Sequence, residues 1–237
     1  MEENKKKFSS QQLVPVAIIA AGLIIAGAVI FAPKLNSKQG ETANISGNPP
    51  AAPSVNIKDV NLNGEPYIGS PQAPVVMAYW SDYQCPFCAR FETQTLPALK
   101  TQYVDTGKLR IVFKDLQFLG PDSKTAALLG RAIWQAYPDK YFAWRQKMYE
   151  DQGTENSGWV GTKADSIASS LGMDVKKLNQ LVSQNNSSYS QAIDNDYSEG
   201  NKFGIQSTPS FVLGTQLVVG AQPLSAFTQI INSELGK

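Results

Sequence analysis

The run Pro74-Val-Val-Met-Ala-Tyr-Trp80 is almost continuously apolar, the pattern of a strand buried on both faces. Ser81-Asp82-Tyr83-Gln84 leads from it into Cys85-Pro86-Phe87-Cys88, where a helical pattern begins and runs towards Val104. Phe91, Thr95, Leu96 and Leu99 supply its apolar stripe. Pro86 suits a first helical position, where its missing N–H leaves no bond unmade. Pro97 lies inside the pattern and predicts a kink. A second apolar strand, Leu109 to Phe113, follows through Asp105-Thr-Gly107. Strand, helix and strand in this order form a βαβ unit, whose right-handed crossover implies a parallel strand pair.

The periodicity then changes. Ala126, Leu129, Ile133 and Trp134 mark one helix, and Phe142, Met148 and Tyr149 another. The segments 164–171 and 175–182 predict two more, and 189–203 a fifth. Ser210-Phe-Val-Leu213 and Gln216-Leu-Val-Val219 predict a hairpin across Gly214-Thr215, and a last helix starts near Pro223-Leu224. The expected class is therefore α/β: a thioredoxin core interrupted by a helical insertion at about 120–204.

Upstream, residues 13–32 carry no charged or strongly polar side chain. A helix of that length spans roughly 30 Å, the hydrocarbon thickness of a bilayer. A cleavable signal peptide has a shorter apolar region, of about 7–15 residues. The segment is thus expected to be an uncleaved transmembrane anchor, preceded by a short cytoplasmic tail over 1–12. Lys5, Lys6 and Lys7 precede it against Lys34 and Lys38 after it, a slight positive-inside bias that puts the large domain outside the cytoplasm. Residues 33–55, with Gly-Asn-Pro-Pro and Ala-Ala-Pro and almost no large apolar side chain, read as a tether too poor in burial to offset its ordering entropy. The folded domain is expected over 56–237.

Composition narrows the chemistry. The chain has 237 residues and a net charge of +1, which gives no electrostatic argument for nucleic acid. It has no histidine, which removes Cys–His and Ser–His catalysis and most zinc sites. Its 2 cysteines, Cys85 and Cys88, lie at the expected first turn of a helix after a buried strand. Free N–H groups and the positive helix end stabilise a thiolate there and lower its pKa, and exchange proceeds through a mixed disulfide. Cys85, at the helix edge, is the expected exposed and attacked sulfur, and Cys88, one turn in, closes the ring. Two other readings of the pair stand beside this one. A zinc half-site would need ligands from a second copy, and a purely structural disulfide in so short a loop would add little stability.

Ser81-Asp-Tyr-Gln-Cys-Pro-Phe-Cys88, together with Gly204-Ile-Gln-Ser-Thr-Pro-Ser-Phe211, resembles the DsbA-like thioredoxin family, and in particular its membrane-anchored bacterial members of the BdbD kind. The resemblance covers roughly 60–235, with Gly69-Ser-Pro-Gln-Ala-Pro74 matching the entry into the first core strand. It implies that Pro209 is cis and faces the cysteine pair, and that Thr208 offers its backbone to an extended substrate peptide. An ordinary trans turn proline is the plain alternative. Pro86, Phe87 and Pro209 would support the active site. Tyr83 and Phe87 flank it, and groove and core roles are equally open to both, whereas Trp80 reads as core.

Two departures matter. The best-known oxidases of the family carry histidine where this chain has Phe87, which cannot donate a hydrogen bond to the Cys85 thiolate. Many thioredoxins carry a buried acid where this chain has Tyr79, so a carboxylate relay from that strand position is missing. Asp82 is nearer but is expected to be exposed in its loop. The resemblance implies a thiol–disulfide oxidoreductase outside the cytoplasm, with no cofactor beyond its own Cys85–Cys88 disulfide. Its partners would be exported cysteine-containing proteins and a membrane reoxidant of the DsbB or VKOR type. A tethered reductase or isomerase is the alternative on the same scaffold, and a redox-inert, chaperone-like binding module is the alternative from another class.

Overall fold

The structure, a computed structural model, describes residues 55–237. The expected cytoplasmic tail, anchor and all but the last residue of the tether lie outside the described residues. That last residue, Val55, is 6% exposed and packs with Val60, Ala78 and Trp80, so the folded domain already begins there. Among the described residues, no helix is long and apolar enough to cross a membrane.

Five strands form one sheet in the order β1-β3-β2-β4-β5. They are β1 (Tyr67–Ile68), β2 (Val75–Ser81), β3 (Leu109–Asp115), β4 (Ser210–Leu213) and β5 (Gln216–Val219). β2 and β3 run parallel from Val75↔Leu109 to Ser81↔Asp115. β4 is antiparallel to β2, and β5 antiparallel to β4. The continuous apolar pattern of β2 follows from burial on both sides. Met77 and Tyr79 face the main core with Cys88, Phe91 and Phe227. Ala78 and Trp80, on the opposite pleat, pack with Leu116, Ile205 and Val212.

The helix after β2 is not uniform. α1 (Pro86–Arg90) and α2 (Leu96–Leu99) are each followed by a π-helical turn, Phe91–Thr95 and Lys100–Val104. The expected irregularity around Pro97 therefore takes the form of widened turns on either side of it, which accommodate the lost N–H. Phe91 tilts against Phe211 at 4.5 Å and against Phe227 of the last helix, α7 (Leu224–Leu235), at 5.4 Å, fixing α1 to the sheet face.

Four helices fill the stretch between β3 and β4: α3 (Pro121–Ala136), α4 (Pro138–Glu150), α5 (Trp159–Ser170) and α6 (Val175–Lys202). Proline at the first turn of α3 and α4 begins each helix without loss of a backbone bond. Asp174 caps α6 by accepting from Lys177 N at 3.0 Å. The two helices expected over 175–182 and 189–203 are one, bent at Asn185 (φ −110°, ψ 15°), whose side chain donates to Leu181 O at 3.0 Å. A polar side chain that satisfies the freed carbonyl lets the helix continue through the bend.

A buried charge cluster joins these helices to the sheet. Lys114 of β3 pairs with Asp196 of α6 and, at 3.0 Å, with Glu199. Arg131 of α3 reaches Glu65 at 2.7 Å, Asp115 at 2.7 Å and Asp196 at 2.6 Å. Such ions are costly to desolvate and tolerable here because Lys114 and Arg131 each meet three carboxylates.

Candidate active site

Cys85 is the N-cap residue of α1, with extended backbone (φ −74°, ψ 118°). Its N–H donates to Asp82 O at 3.1 Å, and its carbonyl accepts the first helical bond from Ala89 N at 3.1 Å. This places Sγ over the open N–H groups of the first turn, where the helix end favours negative charge. Across from it, the Thr208–Pro209 bond is cis and leads directly into β4. The Cys85 thiol donates to Thr208 O at 3.3 Å, so the two segments quoted from either end of the chain meet at one sulfur.

Both thiols are free, and their surroundings drive them apart. The Cys88 thiol, the Thr208 side chain and the N–H groups of Cys88 and Phe87 all stabilise a Cys85 thiolate, and together they outweigh burial to bring Cys85 down to about 6. Burial, and then the neighbouring Cys85, push Cys88 well above the ordinary thiol range. Titrating the reduced protein by thiolate absorbance near 240 nm is expected to give a step near pH 6 that vanishes in Cys85→Ser. The linkage has a definite sign. Since the folded pKa lies below the unfolded value of 9.0, this thiol's contribution to the reduced fold is complete above pH 9 and declines as pH falls towards 6.

The structure corrects the expected accessibility of several residues. Cys85 is only 4% exposed and Cys88 not at all, so attack on Cys85 comes through a narrow opening. Phe87 is 54% exposed, with the Arg90 guanidinium 5.1 Å from its ring centroid. Tyr83 is 1% exposed, hydrogen-bonded to Tyr141 and stacked on Tyr149 at 5.4 Å. It is a core residue and cannot line a substrate groove, because α4 covers the underside of the turn. Asp82 is fully buried rather than exposed. Its carboxylate accepts from the N–H groups of Gln84 (2.8 Å), Phe118 (3.0 Å) and Leu119 (3.1 Å) and from the Ser123 hydroxyl (2.5 Å). Burial raises its pKa against the pull of these bonds. It ties the redox turn to the segment leading into α3. Thr208 is 7% exposed and Pro86 lies at the first position of α1.

Beneath the turn lies a pair that sequence reasoning missed. Glu92, one helical turn beyond Cys88, accepts from Arg145 Nε at 2.9 Å and Nη2 at 2.7 Å, with both side chains almost wholly buried. Arg145 also donates to Ser81 Oγ at 2.8 Å and lies within 5.3 Å of the ring centroids of Tyr79, Tyr83, Phe113 and Tyr149. Where strand β2 carries Tyr79 instead of an acid, a carboxylate thus enters the buried region from the helix. A signal was present: Cys88, Glu92, Thr95 and Leu99 share one helical face, so Glu92 interrupts an otherwise core-facing row.

A reactive dithiol at a helix start, opposed by a cis-prolyl loop on a mixed sheet, defines a thioredoxin-fold thiol–disulfide oxidoreductase. The chain belongs to the family described as "Thioredoxin", whose model matches residues 61–233. The disulfide bond formation protein D of Bacillus subtilis (strain 168) is 24% identical over 201 residues, 84% of each chain. The crystal structure of oxidised BdbD from Bacillus subtilis is similar with a TM-score of 0.71 at 23% identity, over 78% of this chain and 99% of that one. That of the thiol-disulfide exchange protein alpha-DsbA2 from Wolbachia pipientis has a TM-score of 0.64 at 25% identity, over 71% of this chain and 86% of the other.

Proposed function

We propose that this protein donates a Cys85–Cys88 disulfide to reduced, cysteine-containing exported polypeptides, acting outside the cytoplasm on a tether anchored by residues 13–32. The observation that carries this direction is the asymmetry of the two sulfurs, with Cys85 held down at about 6 and Cys88 pushed up. A stabilised Cys85 thiolate favours the reduced form, which makes the disulfide a better oxidant and Cys85 a good leaving group.

A substrate thiolate attacks Cys85 Sγ of the disulfide, forming an intermolecular S–S bond and releasing Cys88 as thiolate, which takes up a proton. A second substrate thiolate then attacks the substrate's own sulfur in that bond. The substrate leaves as a disulfide and Cys85 leaves as thiolate. Thr208, beside the cis bond, offers main-chain groups to the arriving peptide, and the exposed Phe87 ring offers it apolar surface. With only 2 cysteines in the chain, the two electrons pass on to a separate partner. The proposed partner is a membrane reoxidant of the DsbB or VKOR type.

The reduction potential in glutathione buffers tests the direction. A value between about −120 and −180 mV is expected of a disulfide donor, whereas one near about −270 mV makes the protein a reductase. Phe87, whose side chain gives Cys85 no donor, is the specific observation on the reductase side. Phe87→His is therefore expected to move the potential to a less negative value, and an unchanged potential would remove position 87 from the account.

A further inference from the structure

Besides α3 and α4, the helical insertion meets the redox turn through the loop 151–158, which follows α4. We propose that Gln152 of this loop is a positioning residue for the reaction: its side-chain amide clamps the Cys85 carbonyl and so aims the first N–H groups of α1 at Sγ. The proposal rests on the reading that Cys85 is the reacting sulfur.

The geometry is specific. Gln152 Nε2 donates to Tyr83 O at 2.8 Å and to Cys85 O at 3.2 Å. Its two hydrogens therefore meet two carbonyls on either side of Gln84. The Gln84 side chain reaches to the same loop from within the turn. Its Oε1 accepts from Asn156 N at 2.6 Å, and its Nε2 donates to Ser123 Oγ at 2.8 Å and to Leu119 O at 3.1 Å. The grip depends on close backbone approach. Asn156 sits at φ 51°, and a Cβ on Gly120 (φ 119°) would stand 2.1 Å from Asn156 Oδ1. A non-glycine residue in the left-handed region marks a conformation imposed by its surroundings.

Cys85 Sγ lies on one side of a rotatable bond, the Cys85 ψ, here 118°, and the Cys85 carbonyl lies on the other side together with the Phe87 and Cys88 N–H groups. Fixing the carbonyl fixes the direction of the donors. Release of the clamp lets that angle relax, the N–H groups lose alignment with Sγ, and the thiolate loses part of its stabilisation. The charged and titratable groups on the elements that meet here are Asp82 and Tyr83 in the turn, Cys88 and Arg90 on α1, Arg145 and Tyr149 on α4, and Asp151 and Glu155 on the loop. Gln152→Ala alters none of them, so the effect it reports is one of orientation.

The test is thiolate absorbance as a function of pH in the reduced full chain, with thermal melting alongside. In Gln152→Ala the thiolate-to-thiol ratio of Cys85 at pH 6 is expected to fall about threefold, the ratio of half a pKa unit. The equilibrium with glutathione is expected to shift by a similar factor towards the disulfide form. Gln152→Met, of similar length and uncharged but without the amide donors, should lower the ratio by a similar factor. It also decides the matter if the alanine variant does not fold. Gln146→Ala, on the exposed side of α4, should leave the ratio unchanged. A ratio equal to wild type in both Gln152 variants, with or without a change in melting temperature, overturns the clamp. A wild-type Cys85 that titrates near the free-thiol value of about 8.5 would instead sink the redox reading on which the clamp depends.

Discussion

Cys88→Ser is expected to turn the protein from a catalyst into a trap. In the intact site Cys85 is held down at about 6, first by the Cys88 thiol. A serine hydroxyl at position 88 can donate in its place, with the helix N–H groups, to keep Cys85 a thiolate at pH 7. This thiolate attacks the disulfide of an oxidised peptide, forms one S–S bond to it and releases the peptide's other sulfur as thiolate. In the intact site the neighbouring sulfur of Cys88 then closes the ring and frees the peptide. A serine hydroxyl cannot replace it, so the mixed disulfide accumulates as a species that dithiothreitol dissolves. Oxidation of a reduced test substrate falls to the uncatalysed rate in this variant and in Cys85→Ser, but only the former retains the adduct. Mass spectrometry of the non-reduced mixture separates the two. An adduct on Cys88 in Cys85→Ser of comparable yield would reverse the assignment, because full burial and a raised thiol pKa leave Cys88 a poor nucleophile.

The second large effect concerns stability. Glu92→Ala leaves the Arg145 guanidinium buried without its carboxylate, and breaking a buried pair from one side costs about 3–5 kcal/mol. The aromatic rings around Arg145 and its bond to Ser81 recover part of that loss. Denaturant unfolding of the oxidised protein measures it. Replacing both partners by apolar side chains of similar size, in Glu92→Met with Arg145→Met, is expected to be far milder than the single change, since no isolated ion remains. A double variant as unstable as Glu92→Ala would mean that the packing of the long side chains, not their charges, matters here.

What the sequence makes legible follows from periodicity. β2 and β3 read as buried strands because both of their faces are covered, and the β4–β5 hairpin and α7 are bounded by glycine and proline signals. Residues near the redox turn are harder. A stretch such as Ser81-Asp-Tyr-Gln84 has the composition of a surface loop, and its burial is decided by α3 and α4, which arrive from later in the chain. Hence Asp82 turns inward to four donors and Tyr83 becomes core, while Phe87, the most apolar residue of the motif, stays outside. Glu92 looks like a solvated charge until Arg145, 53 residues further on, is placed beside it. Gln152 carries no local signal at all, because a glutamine after a helix is unremarkable in any sequence. The cysteine pair is legible from its place at a helix start after a buried strand and Pro209 through resemblance, and their meeting at 3.3 Å through Thr208 is a tertiary fact.

The Lys114–Arg131 charge cluster has a consequence for how the molecule comes apart. Its members lie at 65, 114, 115, 131, 196 and 199, on the entry to the sheet, on β3 and on two separate helices. Neither α3 nor α6 can peel away from the strands without stranding an ion in apolar surroundings, a penalty comparable to the whole stability of a small domain. These two helices and the sheet therefore melt as one cooperative unit, and amide hydrogens of α3 and α6 exchange with solvent at the pace of β3.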